Sequence, residues 1–259
     1  SGNPQNVYKD FSQPFKTAAT ANGLLNWQYS PLADLLDANN TTLLTDYRLN
    51  GALRYKVMPH LSAAVLYQYG VSSSLNSNLQ NKDSYHTRNL INQFSQINDD
   101  GTITRSIPLG DILDNTTNNI SSYSLRAQLD FNQSWQNGNS LAAIGGYELK
   151  DLETKGNVTR LYGYDNNHDT SQPVNYTTAF PQYYFPLVNT TIPNPAAESG
   201  LSDRYLSWYA NAAFTYHNRF IFSGSARLDE SNLFGVRTNQ QGVPLWSVGG
   251  AWNLSQENW

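Results

Sequence analysis

The chain has 259 residues and a formal net charge of −4, and only 14% of its residues are charged. This balance leaves no basic surface for a nucleic acid, and no apolar run has the length that a membrane-spanning helix needs. Cysteine is absent, which excludes disulfides, cysteine–zinc sites and thiol chemistry.

The first predicted elements are two strands within residues 45–70. Apolar and polar side chains alternate from Tyr47 to Val57, and the alternation resumes from Leu61 to Tyr69. A period of two is typical of β-strands, whose successive side chains point to opposite faces. The tripeptide Met58-Pro59-His60 predicts a tight turn between them, because proline fixes φ and has no N–H for the ladder.

Two further hairpins and one strand follow the same pattern. The second hairpin covers residues 121–150 and contains Asn137-Gly138, a dipeptide that favours tight hairpin turns. The third covers residues 204–229 and turns at His217-Asn218, and a last strand is predicted at 245–255. The strands of the third hairpin are about 11–12 residues long, the length that a tilted strand needs to cross a bilayer.

The predicted connections differ in length. Short turns join the strands of each hairpin, whereas residues 71–119, 152–203 and 230–244 form long loops between hairpins. Short turns at one end and long loops at the other are typical of outer-membrane barrels. The expected fold is all-β, an antiparallel transmembrane β-barrel segment with long extracellular loops. Seven strands do not close a barrel, and an open edge cannot face lipid, so we expect a central part of a longer barrel.

Several stretches resemble one family of membrane proteins. RLDESNLFG at 227–235, followed by GVPLWSVGGAWNLSQE at 242–257, resembles the strand-loop-strand signature of SusC/RagA-type TonB-dependent outer-membrane transporters. Residues 29–70, 88–98 and 159–167 resemble other parts of this family in the same order. The chain departs from the signature at Glu230, where glycine is usual, and at 243–247, where many members have Phe-Pro-Ser. These departures suggest a subfamily.

The resemblance implies a place and a function. Such transporters are barrels of 22 strands around an N-terminal plug in the bacterial outer membrane, and this chain supplies about a third of the strands. The implied function is uptake of oligosaccharides or peptides. The implied partners are a SusD-like surface lipoprotein and a TonB complex, which acts through an N-terminal part that is not recognised in this chain. No cofactor is implied.

Aromatic side chains in the predicted 152–203 loop are candidates for contact with the substrate or the lipoprotein. Flat rings with a polar tip suit sugars and peptides alike. A loop of this length also needs a small core of its own, which aromatic side chains can supply, and both interpretations stay open. The candidates are Tyr162, Tyr164, Tyr176, Tyr183, Tyr184 and Phe185.

Charged residues on the polar side of the strands are candidates to face the barrel lumen. There they can line a translocation path, contact the plug or pair with one another. They are Arg48, Arg54, Arg126, Asp130, Arg227 and Asp229.

No catalytic or metal site is predicted, and the expected class is not an enzyme. The four histidines have no ligand spacing, and no serine has the setting of a nucleophile elbow. Residues 165–169 place oxygen-bearing side chains as a calcium loop begins, but without its glycine and distal glutamate, so they predict a polar turn. The alternative function is a secreted or surface-attached β-rich glycan-binding module, which is expected to be soluble without detergent.

Overall fold

The structure is a computed structural model that describes residues 5–232 and 242–257. Residues 233–241 lie outside the described residues, and they include the end of the RLDESNLFG stretch and most of the predicted 230–244 loop. The helices are α1 (Gln13–Ala21), α2 (Pro31–Asp37) and α3 (Tyr85–Gln93). None of the described helices is both long and apolar enough to cross a membrane.

A serine precedes each helix. Ser30 accepts a hydrogen bond from the N–H of Ala33 at 3.4 Å before α2, and Ser84 accepts one from the N–H of Thr87 at 3.3 Å before α3. These hydroxyls satisfy N–H groups that the first helical turn leaves without partners. Pro31 occupies the first turn of α2, where its fixed φ suits a helix and its missing N–H costs nothing.

Strands make up most of the described chain. They are, in chain order, β1 (Ala38–Met58), β2 (Leu61–Gln80), β3 (Ser95–Ile97), β4 (Ile103–Arg105), β5 (Asp111–Ser134), β6 (Ser140–Asp165), β7 (Thr170–Gln172), β8 (Ala179–Gln182), β9 (Phe185–Thr191), β10 (Ala197–Tyr216), β11 (Phe220–Ser231) and β12 (Gly242–Trp252).

The main sheet is a meander in the order β1-β2-β5-β6-β10-β11-β12, and β7 pairs with β6. Within the described residues, β1 and β12 are the edges of this sheet. The strands β3 and β4 form a small antiparallel pair, and so do β8 and β9. The fold is all-β and antiparallel, which confirms the predicted fold class.

The register of the last three strands keeps the apolar side chains on one face. Trp208 lies opposite Leu228, Ala210 lies opposite Ala226, and Ala226 lies opposite Trp246. The turn between β10 and β11 contains His217 and Asn218, whose φ angles are 48° and 57°. Two successive left-handed residues match the twist of the flanking strands, which explains the tight turn.

The strands extend beyond their predicted bounds. β2 runs to Gln80 and β6 to Asp165, while β5 begins at Asp111 and β10 at Ala197, so parts of the predicted 71–119 and 152–203 loops are strand. The added segments are polar, so the period-two pattern stops before the backbone ladder does.

The last strand ends earlier than predicted. β12 ends at Trp252, and Leu254–Gln256 form a short 3-10 helix. The hydroxyl of Ser255 donates to the side-chain oxygen of Asn253 at 2.8 Å, and such local bonds compete with a strand ladder.

The chain divides into two compact units. Unit 1 comprises Ser1–Leu44, Ser74–Asn118 and Gly156–Ser199, and unit 2 comprises Thr45–Ser73, Asn119–Lys155 and Gly200–Trp259. Unit 1 contains the three helices and two hydrophobic clusters, one around Phe94 and Ile107 and the other around Trp27. The described part of unit 2 consists of strands, tight turns and the 3-10 helix.

Candidate functional site

One face of unit 2 is apolar and exposed, and we call it the apolar face. It carries the odd-numbered side chains of β1, β2, β5 and β6 and the even-numbered side chains of β10, β11 and β12. Phe222 is 59% exposed, Trp246 77% and Val248 80%. Of the buried apolar side chains among the described residues, only Ala64 belongs to unit 2. Unit 2 therefore has almost no interior of its own.

Aromatic side chains mark both ends of the apolar face. Tyr216 lies opposite Phe220, and Phe220 lies opposite Trp252, next to the turn between β10 and β11. At the other end, the rings of Trp208 and Tyr147 have their centroids 4.4 Å apart. Trp208 and Tyr216 are eight positions apart on β10, which corresponds to about 27 Å along the strand and to about 20 Å along the membrane normal for a strand tilted by about 40°. An apolar band of about 25 Å between aromatic girdles is typical of outer-membrane barrels.

The apolar face contains a groove of about 800 Å³. Small residues of five strands form its floor, and larger side chains flank it. We call it the apolar groove; its floor consists of Ala63, Ala127, Gly145, Ala210 and Ala226, and its walls include Val65, Leu129, Tyr147, Trp208, Leu228 and Trp246.

The charged residues predicted to face a lumen lie on the opposite, polar face of unit 2, and most of them are paired. Nη2 of Arg126 lies 2.9 Å from Oε2 of Glu148, and Nε of Arg227 lies 2.6 Å from Oδ1 of Asp229. Nε of Arg48 lies 3.1 Å from Oδ1 of Asp46.

The two other predicted lumen residues have different surroundings. Asp130 accepts a hydrogen bond from Nε2 of Gln128 at 2.7 Å, and Gln128 accepts one from the hydroxyl of Tyr209 at 2.7 Å. Arg54 is exposed on β1 and forms no ion pair with a residue that the structure describes. The lumen-facing role of the six stays a prediction.

Most of the predicted contact aromatics belong to the interior of unit 1. Tyr162 is 1% exposed, and its hydroxyl donates to the carbonyl oxygen of Pro193 at 2.7 Å. Tyr164 is 9% exposed and donates to Asp169 at 2.7 Å. Both side chains are thus largely covered, although Tyr164 also lines a polar cavity of unit 1. Their hydrophobic surfaces complete the core that a long connecting segment needs.

The other candidates differ in how much they are buried. Tyr176 packs against the cluster around Phe94, and Tyr183 and Tyr184 pack against the cluster around Trp27. Burial raises the pKa of the Tyr176 and Tyr184 hydroxyls. Phe185, in contrast, is 61% exposed at the start of β9. Whether any of the six candidates contacts the substrate or a partner stays a prediction.

The start of α3 carries a polar network that no sequence motif indicated. The hydroxyl of Tyr85 donates to Oδ2 of Asp10 at 2.7 Å, and burial, together with this carboxylate, raises the pKa of Tyr85 well above its usual range. Arg88 donates to the carbonyl oxygens of Asn26, Gln28 and Asp83, and burial lowers its pKa. These bonds tie α3 to the chain before α2, and the N–H of Tyr85 donates to Oδ1 of Asp34 in α2 at 2.9 Å.

Unit 1 also contains a polar cavity of about 800 Å³. Amide and carboxylate side chains line it, and these groups hydrogen bond to hydroxyl or amide groups of a ligand. They include Asp37, Asn39, Asn81, Asp111, Asp165 and Asn166.

Residues 165–169 form a turn at this cavity. Asp165 accepts hydrogen bonds from the N–H of Asn167 at 2.9 Å and from Nδ1 of His168 at 2.7 Å. The carboxylate is thus bonded within its own turn, as in a polar Asx turn. Within the described ranges, no group of three or more histidine or acidic side chains is placed to hold a metal ion.

Comparison with known proteins gives a likeness of fold. No protein-family model and no curated protein sequence matches the chain. Among solved structures, the chain is similar to the RagAB peptide importer in its "open-open" state, with a TM-score of 0.62 and 13% identity over 88% of this chain. The RagAB peptide transporter has a TM-score of 0.63 and 13% identity over 86% of this chain. The "closed-closed" state of the importer has a TM-score of 0.61 and 13% identity over 86% of this chain.

The similar region covers most of this chain but only a small part of each RagAB chain. The chain spans 22% of the length of each of these RagAB chains. At 13% identity the likeness shows the fold alone, and this fold agrees with the one that the sequence predicts. The fold of the chain thus resembles that of one segment of these longer RagAB chains.

Proposed function

We propose that this chain forms part of the barrel wall of a SusC-like, TonB-dependent transporter in the bacterial outer membrane. The observation that carries the proposal is the apolar face of unit 2, which is exposed from β1 to β12. Leaving apolar surface in water costs about 25 cal/mol per Å², so an exposed face of this extent favours an apolar solvent. With lipid against the apolar face and water against the polar face, each face of the sheet meets a solvent that suits its side chains.

The edges of the main sheet support a larger assembly of strands. β1 and β12 have no further strand beside them within the described residues. Unpaired N–H and C=O groups are costly in the hydrocarbon region, where no water replaces the missing bonds. Additional strands on both sides, as in a barrel of 22, supply these partners.

The proposed substrate is an oligosaccharide or a peptide, and no catalytic step is part of the proposal. Two features of unit 1 support substrate capture. The polar cavity offers amide and carboxylate groups to a hydrophilic ligand, and the exposed Leu36 and Leu109 in its lining offer apolar contacts. Both substrate classes combine polar groups with apolar patches, so the chemistry of unit 1 suits either.

The proposed partners are a SusD-like surface lipoprotein and a TonB complex. The likeness to an importer named for two components, RagAB, supports a partner at the outer surface. The exposed apolar side chains of β9, namely Phe185, Leu187 and Val188, are the contact surface that we assign to the lipoprotein. The TonB complex acts, in this proposal, through a plug that other residues supply.

Two measurements test this function. The intact protein, extracted from outer membranes, is expected to need detergent to stay monodisperse and to have a mass several times 29.0 kDa. A protein of 29.0 kDa that is soluble without detergent contradicts the barrel and favours the glycan-binding module.

The second measurement concerns transport itself. Cells that lack the protein should lose uptake of labelled oligosaccharides or of labelled peptides, and a complementing copy should restore it. The same loss is expected when the inner-membrane energy source is collapsed. Unchanged uptake of both substrate classes contradicts the transport function.

A further inference from the structure

The polar face of unit 2 contains a cavity of about 370 Å³ that spans β1, β2, β5 and β6. Its floor consists of small residues, namely Gly70, Ser122 and Ser124. A Cβ on Gly70 would lie 2.9 Å from Oγ of Ser122, so a side chain at position 70 would occupy part of the floor. Arg48 lies on one side of the floor, on β1, and Lys150 lies on the other, on β6. We call this the serine cavity.

Strand alternation places the serine cavity on the polar face. Apart from Val71 and Tyr123, all of its lining residues are even-numbered positions of β1, β2, β5 and β6. On these four strands the odd-numbered side chains form the apolar face, and successive side chains of a strand point to opposite faces. The serine cavity therefore opens on the side that is predicted to face the lumen.

Hydrogen-bond donors are in excess in the serine cavity. The hydroxyls of Ser72, Ser122 and Ser124 and the side-chain amide of Gln68 line it, and none of them hydrogen bonds to a described residue. Asp46 is the one acidic residue in the described lining. Hydroxyl, amide and ammonium groups that have no acceptor of their own suit a ligand that accepts hydrogen bonds.

Positive charge is also in excess there. Nε of Arg48 lies 3.1 Å from Oδ1 of Asp46, but the Arg48 side chain stays 64% exposed and has further N–H groups to donate. The ammonium group of Lys150 lies 5.9 Å from the centre of the Tyr205 ring, and it forms no salt bridge within the part of the chain that the structure describes. Two cations against one aspartate leave one positive charge without a counter-charge.

We propose that the serine cavity binds a carboxylate group of the transported substrate. An ionised carboxylate only accepts hydrogen bonds and carries a single negative charge, so it matches both the free donors and the unbalanced positive charge. Lys150 and Arg48 contact its charge, and the hydroxyls of Ser122 and Ser124 donate to its oxygens.

Both proposed substrate classes can supply this group. A peptide carries a carboxylate at its C-terminus, and an oligosaccharide carries one where it contains an acidic sugar. Ile120 and Leu152 also line the serine cavity and offer apolar contacts to the part of the substrate next to the carboxylate. The inference rests on the proposed function, because a substrate reaches this cavity only if the polar face lines a lumen.

Titration calorimetry of the intact protein in detergent tests this site with two pairs of probes. One pair is N-acetylated trialanine with a free C-terminus and the same peptide with a C-terminal amide. The other is a disaccharide with one glucuronic acid and its neutral glucose counterpart. The unmodified protein should bind an acidic probe about tenfold more tightly than its neutral counterpart, since a hydrogen bond to a charged group has about this value. The pair that shows the preference identifies the source of the carboxylate.

Single substitutions assign the preference to the cavity. Lys150→Gln should weaken binding of the acidic probe by about tenfold and leave the neutral probe unchanged. Lys56→Gln is the matched control, because Lys56 lies on the same face of β1 but outside the serine cavity. Asp46→Asn should strengthen binding of the acidic probe, since it removes the carboxylate that competes for Arg48.

Two results overturn the carboxylate site. One is an unmodified protein that shows no preference for the acidic probe in either pair, whether it binds the four probes equally or not at all. The other is equal binding of the acidic probe by the Lys150→Gln and Lys56→Gln variants. Either result leaves the transport function standing if cells that lack the protein still lose uptake. Unchanged uptake in those cells contradicts the proposed function itself, whatever the cavity binds.

Discussion

Unit 1 and unit 2 each contain segments of long strands, yet their apolar side chains differ in how far they are buried. Unit 1 buries Trp27, Phe94, Ile107 and other side chains in its two clusters. Unit 2 leaves Leu53, Trp246 and most of its other large apolar side chains exposed. Unit 1 thus has the interior of a protein that folds in water, and unit 2 does not.

The difference shows that a strand pattern alone does not specify its solvent. The alternation of unit 2 is cleaner than that of unit 1, although unit 1 has the larger core. Strict alternation indicates two different environments on the two faces of a sheet. A protein core on one side is one way to provide them, and lipid is the other.

The largest expected effect comes from the core of unit 1. Trp27 is fully buried, its Nε1 donates to Oδ1 of Asn89 at 2.8 Å, and its ring lies 4.8 Å from that of Phe11. Trp27→Ala should lower the free energy of unfolding of unit 1 by about 3–5 kcal/mol, because it leaves a cavity. Hydrogen exchange of the helices measures it. Trp246→Ala, at a 77% exposed position, is the control, and an equal loss there contradicts the comparison.

A charged residue on the apolar face of unit 2 should lower the stability of the protein in a membrane. Leu125→Arg should cost about 2–4 kcal/mol of stability in lipid vesicles, the cost of an arginine in the hydrocarbon region. Ser124→Arg, on the polar face of the same strand, should cost far less. Gln128→Arg, on that face too, is a less clean control, because Gln128 bonds both Tyr209 and Asp130. Equal losses at positions 124 and 125 contradict the assignment of the faces.

Two neighbouring glycines of β6 test how tightly side chains pack on the polar face. A Cβ on Gly146 meets the ring and hydroxyl of Tyr209 and comes within 2.8 Å of the carbonyl oxygen of Ala127. Gly146→Ala should therefore displace Tyr209 from Gln128 and cost about 1–3 kcal/mol. A Cβ on Gly145 meets nothing closer than 3.9 Å, so Gly145→Ala should be nearly neutral. Equal refolding free energies for the two variants contradict the packing described.

The smallest expected effect is a pH dependence of the stability of unit 1. Partial burial, and next the charge of Arg160, lower the pKa of His86 from its ordinary 6.5; Lys9 acts in the same direction, and Asp114 and Asp34 oppose it. The unfolded chain therefore binds more protons than the folded one between the two pKa values. The stability present above pH 6.5 should fall as the pH drops through this value.

His86→Gln is the matching variant for this effect. It removes the titrating group, so unit 1 should lose the part of its pH slope that appears just below neutrality. Hydrogen exchange of α3 at about pH 5 to 8 is the measurement. An unmodified protein whose α3 becomes more stable as the pH falls contradicts a lowered pKa of His86.

The sequence alone predicted unit 2 better than unit 1. The alternation from Tyr47 to Val57 and the turns at 58–60 and 217–218 are local features, and a strand shows them within a few residues. The core of unit 1 depends on distant contacts. The side chain of Asn92, for example, bonds the backbone N–H and C=O of Leu25 at 2.9 and 2.8 Å. No local pattern indicates such a pair.

The candidate site shows the same limit. Tyr162 and Phe185 are both aromatic residues of one predicted loop, yet one is buried and the other exposed. Composition does not distinguish them, because both interpretations of the loop require aromatic side chains.

The lipid-facing assignment of the apolar face is tested most directly by a scan of β5 with single cysteines in the membrane-embedded protein. The chain has no cysteine, so a spin label at each position from 122 to 131 reports on that position alone. We predict alternation, with the odd positions accessible to oxygen in lipid and the even positions accessible to a water-soluble relaxation agent. Labels that are all accessible to the water-soluble agent, with no period of two, contradict a lipid-facing sheet.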